Sequence, residues 1–115
     1  MYSGSIFVMD EWEYLELIMW SERDEKKEYC TIRHEGGEIE WNLKISEEVS
    51  QAQESLKEHL KIEAKSISNK IQILNLLGKA RFELVSASDF ILPEPDGFPP
   101  HNSETFYFKR RVAGN

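Results

Sequence analysis

The sequence predicts an α+β fold: an antiparallel sheet of four to five strands with one long helix on one face, in the order β-β-β-α-β-β. Three observations carry that prediction. Apolar residues alternate at a period of two between Glu11 and Ile45, and again between Arg81 and Val112, as half-buried strands require. From Ser46 to Gly78 the apolar residues recur instead at three- and four-residue steps, with no Gly or Pro before Gly78. Finally, the run from Leu74 to Ser88 closes a helical stripe at Leu77, offers Gly78 as a stop and starts an aromatic and β-branched strand at Phe82. That junction decides how helix and sheet face each other.

The first strand is expected over Glu11–Trp20, with Trp12, Tyr14, Ile18 and Trp20 on one face and Glu13, Leu15, Leu17 and Met19 on the other. Apolar residues on both faces mark a central strand, or one with a face turned to a partner. A charged turn, Ser21 to Lys26, leads to a second strand over Lys27–His34. Gly36-Gly37 turns the chain into a third over Glu38–Ile45, whose inward face is Ile39, Trp41, Leu43 and Ile45.

Ser46 is the expected N-cap, with Glu47 and Glu48 in the first turn where the helix dipole favours negative charge. An unbroken helix from Ser46 to Gly78 spans about 50 Å, whereas a compact domain of this length is only ~35 Å across. The helix therefore either bends near Ser66-Ile67-Ser68-Asn69 or projects its sparser first half beyond the sheet. The second alternative makes Val49, Leu56 and Leu60 a seam for a partner helix. A fourth strand follows over Arg81–Leu92, then a proline-rich connection, Pro93 to Ser103, and a fifth strand over Glu104–Val112 that pairs with the fourth as a hairpin.

Composition narrows the classes of function. A chain of 115 residues makes one domain, here 11–112, with a leader at 1–10 and a tail at 113–115. The leader's Ile6-Phe7-Val8-Met9 either frays or pairs with a sheet edge, and is too short for a signal segment. No apolar run reaches the roughly 18 residues of a membrane span. A single cysteine, Cys30, excludes an internal disulfide and points to the cytoplasm. A net charge of −7 opposes nucleic acid over most of the surface.

The ends of the elements carry a resemblance. Trp12-Glu13-Tyr14, Leu74-Asn75-Leu76-Leu77-Gly78, Glu83-Leu84-Val85 and Phe108-Lys109-Arg110 resemble, in the same order, the motifs of a small bacterial family known as domain of unknown function 4177. The resemblance covers most of the chain, although Ser21 to Ser66 is longer than the pattern needs. It implies a fold and no chemistry. Arg81 and Phe82 stand where that family has Gly and Trp, which implies a turn that no longer needs a residue without Cβ.

Several clusters suggest chemistry. His34, Glu35, Glu38 and Glu40, with His59 or His101, have metal-ligating side chains, but no spacing brings three of them to one point, and a polar turn at Gly36-Gly37 accounts for them. Cys30 sits mid-strand beside Ile32, the setting of a buried small hydrophobe and not of a nucleophile. Lys109, Arg110 and Arg111 beside Phe106, Tyr107 and Phe108 resemble a platform for single-stranded bases, or else a set of cations that blunts an edge strand. Trp12, Trp20, Trp41 and Tyr14 either wall a ligand pocket with the proline-rich loop as lid, or belong to core and interface. The expected function is self-association as a homodimer, without catalysis, metal or cofactor, through Trp12, Tyr14 and Trp20 and the seam Val49, Leu56 and Leu60. Small-ligand binding and single-stranded nucleic-acid binding are the alternatives.

Overall fold

A computed structural model describes residues 11–22, 27–92 and 101–112. The leader with Ile6 to Met9, most of the charged turn, the proline-rich segment 93–100 and the tail lie outside the described residues. The chain folds as α+β, with strands β1 (Trp12–Glu22), β2 (Glu28–His34) and β3 (Gly37–Asn42), helices α1 (Ser46–Leu60) and α2 (Lys70–Lys79), and strands β4 (Glu83–Leu92) and β5 (His101–Arg111). The strands form one five-stranded antiparallel sheet in the order β3-β2-β1-β5-β4. β1 is the central strand, as its two apolar faces require. It pairs with β5 over its whole length, from Trp12 opposite Arg111 to Glu22 opposite His101.

Alternation sends Leu15, Leu17 and Met19 to one side, where they join Cys30, Ile32, Ile39, Trp41, Leu43 and Phe108. Both helices close over this side with Ala52, Leu56, Leu60, Ile73 and Leu77. Each fully buried Leu or Ile stabilises the fold by about 1.5–3 kcal/mol, so this layer is the principal favourable contribution. None of the described helices is long and apolar enough to cross a membrane.

The expected single rod is two helices. α1 ends where Lys61 takes a left-handed conformation, φ 58°, and both Lys61 and Ile62 donate their N–H groups back to the Leu56 carbonyl. α2 begins with Asn69 as N-cap: its side chain accepts from the Gln72 N–H at 2.9 Å, while the Gln72 side chain accepts from the Ser68 N–H at 2.9 Å. Between them the connector buries Ile62 and Ile67, and the indole N–H of Trp41 donates to the Ile67 carbonyl at 3.1 Å. Because Ile67 anchors the connector at helical spacing, the apolar period runs on through a segment that is not helical.

Breaking the rod lets both halves lie on the sheet. The projecting seam is thereby overturned: Leu56 and Leu60 are fully buried, and Val49 packs half-buried against the same core. Ile45 is corrected too. β3 stops at Asn42, so Ile45 turns outward, 43% exposed, and serves as the α1 N-cap in place of Ser46. β5 begins at His101 instead of Glu104.

The α2 exit corrects the reading of Arg81. Arg81 N–H donates to the Gly78 carbonyl and Phe82 N–H to the Leu77 carbonyl, both at 3.0 Å, with Arg81 at φ 72°. This is the Schellman arrangement, and the left-handed position that glycine fills without strain is held here by arginine. The turn takes the left-handed backbone that favours glycine, with an arginine in it. Arg81→Gly is expected to raise stability by about 1 kcal/mol, and Asn69→Ala to lower it by about 1 kcal/mol through loss of the cap. Urea unfolding curves of the two variants check both.

Candidate functional site

Both helices pack on one side of the sheet, so among the described residues neither helix covers the other side. The register assembles it row by row. Trp12 lies beside Arg111, Tyr14 beside Lys109, Glu16 between Tyr107 and Arg33, Ile18 between Thr105 and Thr31, and Trp20 between Ser103 and Tyr29. Glu38 and Glu40 extend the Arg33 and Thr31 rows onto β3. Tyr14 is 63% and Tyr107 44% exposed, while Trp12, Ile18, Trp20 and Tyr29 are half-buried by their neighbours.

The polar groups of this face are held in fixed pairs. Arg33 bridges Glu16 and Glu38, each at 3.1 Å, and Thr31 donates to Glu40 at 3.1 Å. Tyr107 shares a hydrogen bond with Glu16, and that bond first, then the carboxylate's charge, holds the phenol above its ordinary pKa. Trp20 and Tyr29 stack at 4.3 Å between ring centroids, 12° from parallel. At the other end Lys109 Nζ lies 4.2 Å and the Arg111 guanidinium 5.9 Å from the Trp12 ring. The face therefore carries two acidic side chains on the exposed Arg33, and stacked or cation-bearing aromatic rings at its two ends.

Trp12, Tyr14 and Trp20 therefore share a face, as alternation implies. Trp41 does not join them: it is fully buried on the helix side, and Trp12 and Trp20 stand at opposite ends of β1, so the four-residue pocket wall does not form. The basic edge also needs correcting. β5 lies between β1 and β4 and is not an edge. Lys109 and Arg111 are on the open face, whereas Arg110 points to the helix side. There it pairs with Glu13 through Nε and donates at 3.1 Å each to the carbonyls of Ala80 and Leu60, over the Phe82 ring at 4.3 Å. Phe106 and Phe108 face the helices as well, so the aromatic–basic platform is divided between two sides. Tyr107 lies on the open face with Lys109 and Arg111, and Tyr29, which sequence reasoning passes over, joins it there; the parity of β2 against β1 is the signal that finds Tyr29.

The candidate chemistry is dispersed. His34 and His59 come together, 6.0 Å between ring centroids, with His34 Nδ1 accepting from the Gly36 N–H at 3.1 Å. Glu38 and Glu40 point to the opposite side of the sheet, and the His101 side chain lies outside the described residues. Among the described residues no three ligands converge. Cys30 is fully buried, and burial pushes its thiol pKa up, a core setting with no activating cation. A cleft of about 230 Å³ beside Trp20 and Tyr29 is bordered by the Lys70–Glu104 ion pair at 3.1 Å.

Burial first, and the neighbouring His59 second, hold the His34 pKa below its ordinary value, with Glu13 opposing them. The unfolded chain takes up a proton near pH 6.5 that the folded chain resists. The stability His34 contributes is whole above that pH and declines as pH falls through it. Wild type is expected to lose more stability between pH 7 and pH 5 than His34→Gln in paired denaturation curves. Arg110→Met, which strands a carboxylate and two helix-end carbonyls, is expected to cost about 2–3 kcal/mol by the same measurement.

No protein-family model matches the chain, and no curated protein matches it. Function is therefore argued from the surface just described.

Proposed function

We propose that the protein is a self-association module that acts in the cytoplasm without catalysis or cofactor, and that two copies dock through the open sheet face. One observation carries the reading: six large side chains, Trp12, Tyr14, Ile18, Trp20, Tyr29 and Tyr107, share a face that neither helix covers. Packed sheets sit about 10 Å apart with interdigitating side chains, so a second sheet is the natural cover for such a face.

Area and charge support a second copy as the occupant. Five strands about 4.8 Å apart over roughly 20 Å of shared length give a footprint of about 500 Å² per copy, so a pair hides about 1,000 Å², the size at which specific interfaces begin. Acidic Glu38 and Glu40 lie on the β3 flank and basic Lys109 and Arg111 on the β5 flank. Two copies stacked about an axis parallel to β1 set the β3 side of each over the β5–β4 side of the other, with the acidic and basic residues offset along the strands. The remaining surface carries the excess negative charge of a chain at −7.

Light scattering at micromolar concentration tests the reading. The wild-type mass is expected to be a multiple of one chain, and Trp20→Glu to halve it with an unchanged circular dichroism spectrum. A wild-type mass of one chain overturns it, as does salt-sensitive binding of single-stranded oligonucleotides that is lost in Lys109→Ala and Arg111→Ala. Trp20→Ala is expected to weaken association by about 30-fold or more, as truncation of an aromatic anchor in an interface does.

A further inference from the structure

Two non-glycine residues hold left-handed backbones among the described residues, Lys61 at φ 58° and Arg81 at φ 72°. Each follows the end of a helix, where glycine or asparagine is usual because other side chains are strained there. The two helix ends meet at one guanidinium: Arg110 donates to the carbonyls of Leu60 and Ala80, the residues just before Lys61 and Arg81. Attraction of a cation to a helix C-terminus does not account for the choice. α1 already has Lys57 and His59 in its last turn and α2 has Lys79, and these meet the dipole from ordinary helical backbone. Nor does the fold use the two side chains. Both are exposed, and neither makes a hydrogen bond or ion pair among the described residues. Strain kept for a side chain that the fold leaves idle points to another use for it.

Arg81 lines a cleft of about 600 Å³ at this end of the sheet, the size of a small-molecule site. Three arginines border it, Arg81, Arg110 and Arg111, against two glutamates, Glu13 and Glu83. Glu13 is paired with Arg110, and Glu83 lies across the ladder from Lys109. The cleft is therefore positive in a chain of net charge −7, and Lys61 adds to that potential from the same end. Trp12 and Val112 give it an apolar wall. We propose that this cleft binds a small phosphate monoester, with the phosphate on the Arg81 guanidinium and an aromatic or nucleoside group against Trp12. A guanidinium presents paired donors that match phosphate oxygens, and an indole offers the flat apolar surface a ring needs. A monoester, with nearly two negative charges at neutral pH, gains more from a positive cleft than a single carboxylate does. The inference does not rest on the open-face reading, and the substitution that tests it leaves that face untouched.

Titration calorimetry of the full chain with phenyl phosphate and with adenosine monophosphate tests it, with adenosine as the uncharged control. At least one phosphate is expected to bind at millimolar concentration or below, and adenosine is not. Arg81→Gly is expected to weaken that binding about tenfold, the loss of a charge-assisted hydrogen bond, while raising the urea midpoint. Because glycine suits the left-handed backbone at this position, the loss cannot come from a damaged fold. Lys65→Ala, which removes an exposed cation outside the cleft, is expected to change affinity by less than about twofold. Failure of both phosphates to bind overturns the proposal, as does adenosine binding as tightly as its monophosphate. Binding that Arg81→Gly leaves unchanged, or that Lys65→Ala weakens equally, also overturns it.

Discussion

The guanidinium of Arg110 holds three parts of the fold together at once. It pairs with Glu13 on the neighbouring strand, donates to the last carbonyls of both helices at Leu60 and Ala80, and lies over the Phe82 ring. Each helix presents unsatisfied carbonyls and a partial negative charge at that end, so one planar cation with several donors meets both needs. A lysine has the charge but not the fork. The helix layer is thereby registered against the β1–β5 centre of the sheet.

The break between the helices serves the same end. A rod of fifteen residues followed by a separate one of ten can lie over a sheet that an unbroken rod would overrun. Trp41 couples the connector to β3 through the Ile67 carbonyl, so the break is tied to the sheet and is not a slack loop. With Ile62 and Ile67 both buried, the connector contributes to the core while the helix ends are satisfied by Asn69, Gln72 and Arg110.

Much of this was legible in the residues. Alternation assigned β1 its two faces correctly, from Leu15 and Leu17 inward to Trp12, Tyr14 and Trp20 outward, and the Gly36-Gly37 turn and the β4–β5 hairpin followed from local chemistry. The helix break was less visible because Ile67 keeps the helical spacing while sitting in a connector. Its signal was the pair Asn69 and Gln72, a polar cap three residues before a side chain able to reach back. The role of Arg110 was hidden for a different reason. Alternation already sets Arg110 on the side of Phe108 and apart from Lys109 and Arg111, but only knowing where the helices end shows what that cation meets. Arg81 was hidden likewise: a left-handed backbone held by a non-glycine residue leaves no trace in composition.

The ladder that joins β1 to β5 has a kinetic consequence. Glu13 and Arg110 are 97 residues apart in sequence yet adjacent across it. The meander of β1, β2 and β3 is assembled from near neighbours, but its central strand stays half-paired until β5 arrives. Loop-closure entropy must be met before that ladder returns any stabilisation, which slows folding relative to a sheet built from near neighbours alone. During synthesis, β1 leaves the ribosome long before its second neighbour does, and its exposed hydrogen-bonding edge is then the region most open to pairing with a neighbouring nascent chain.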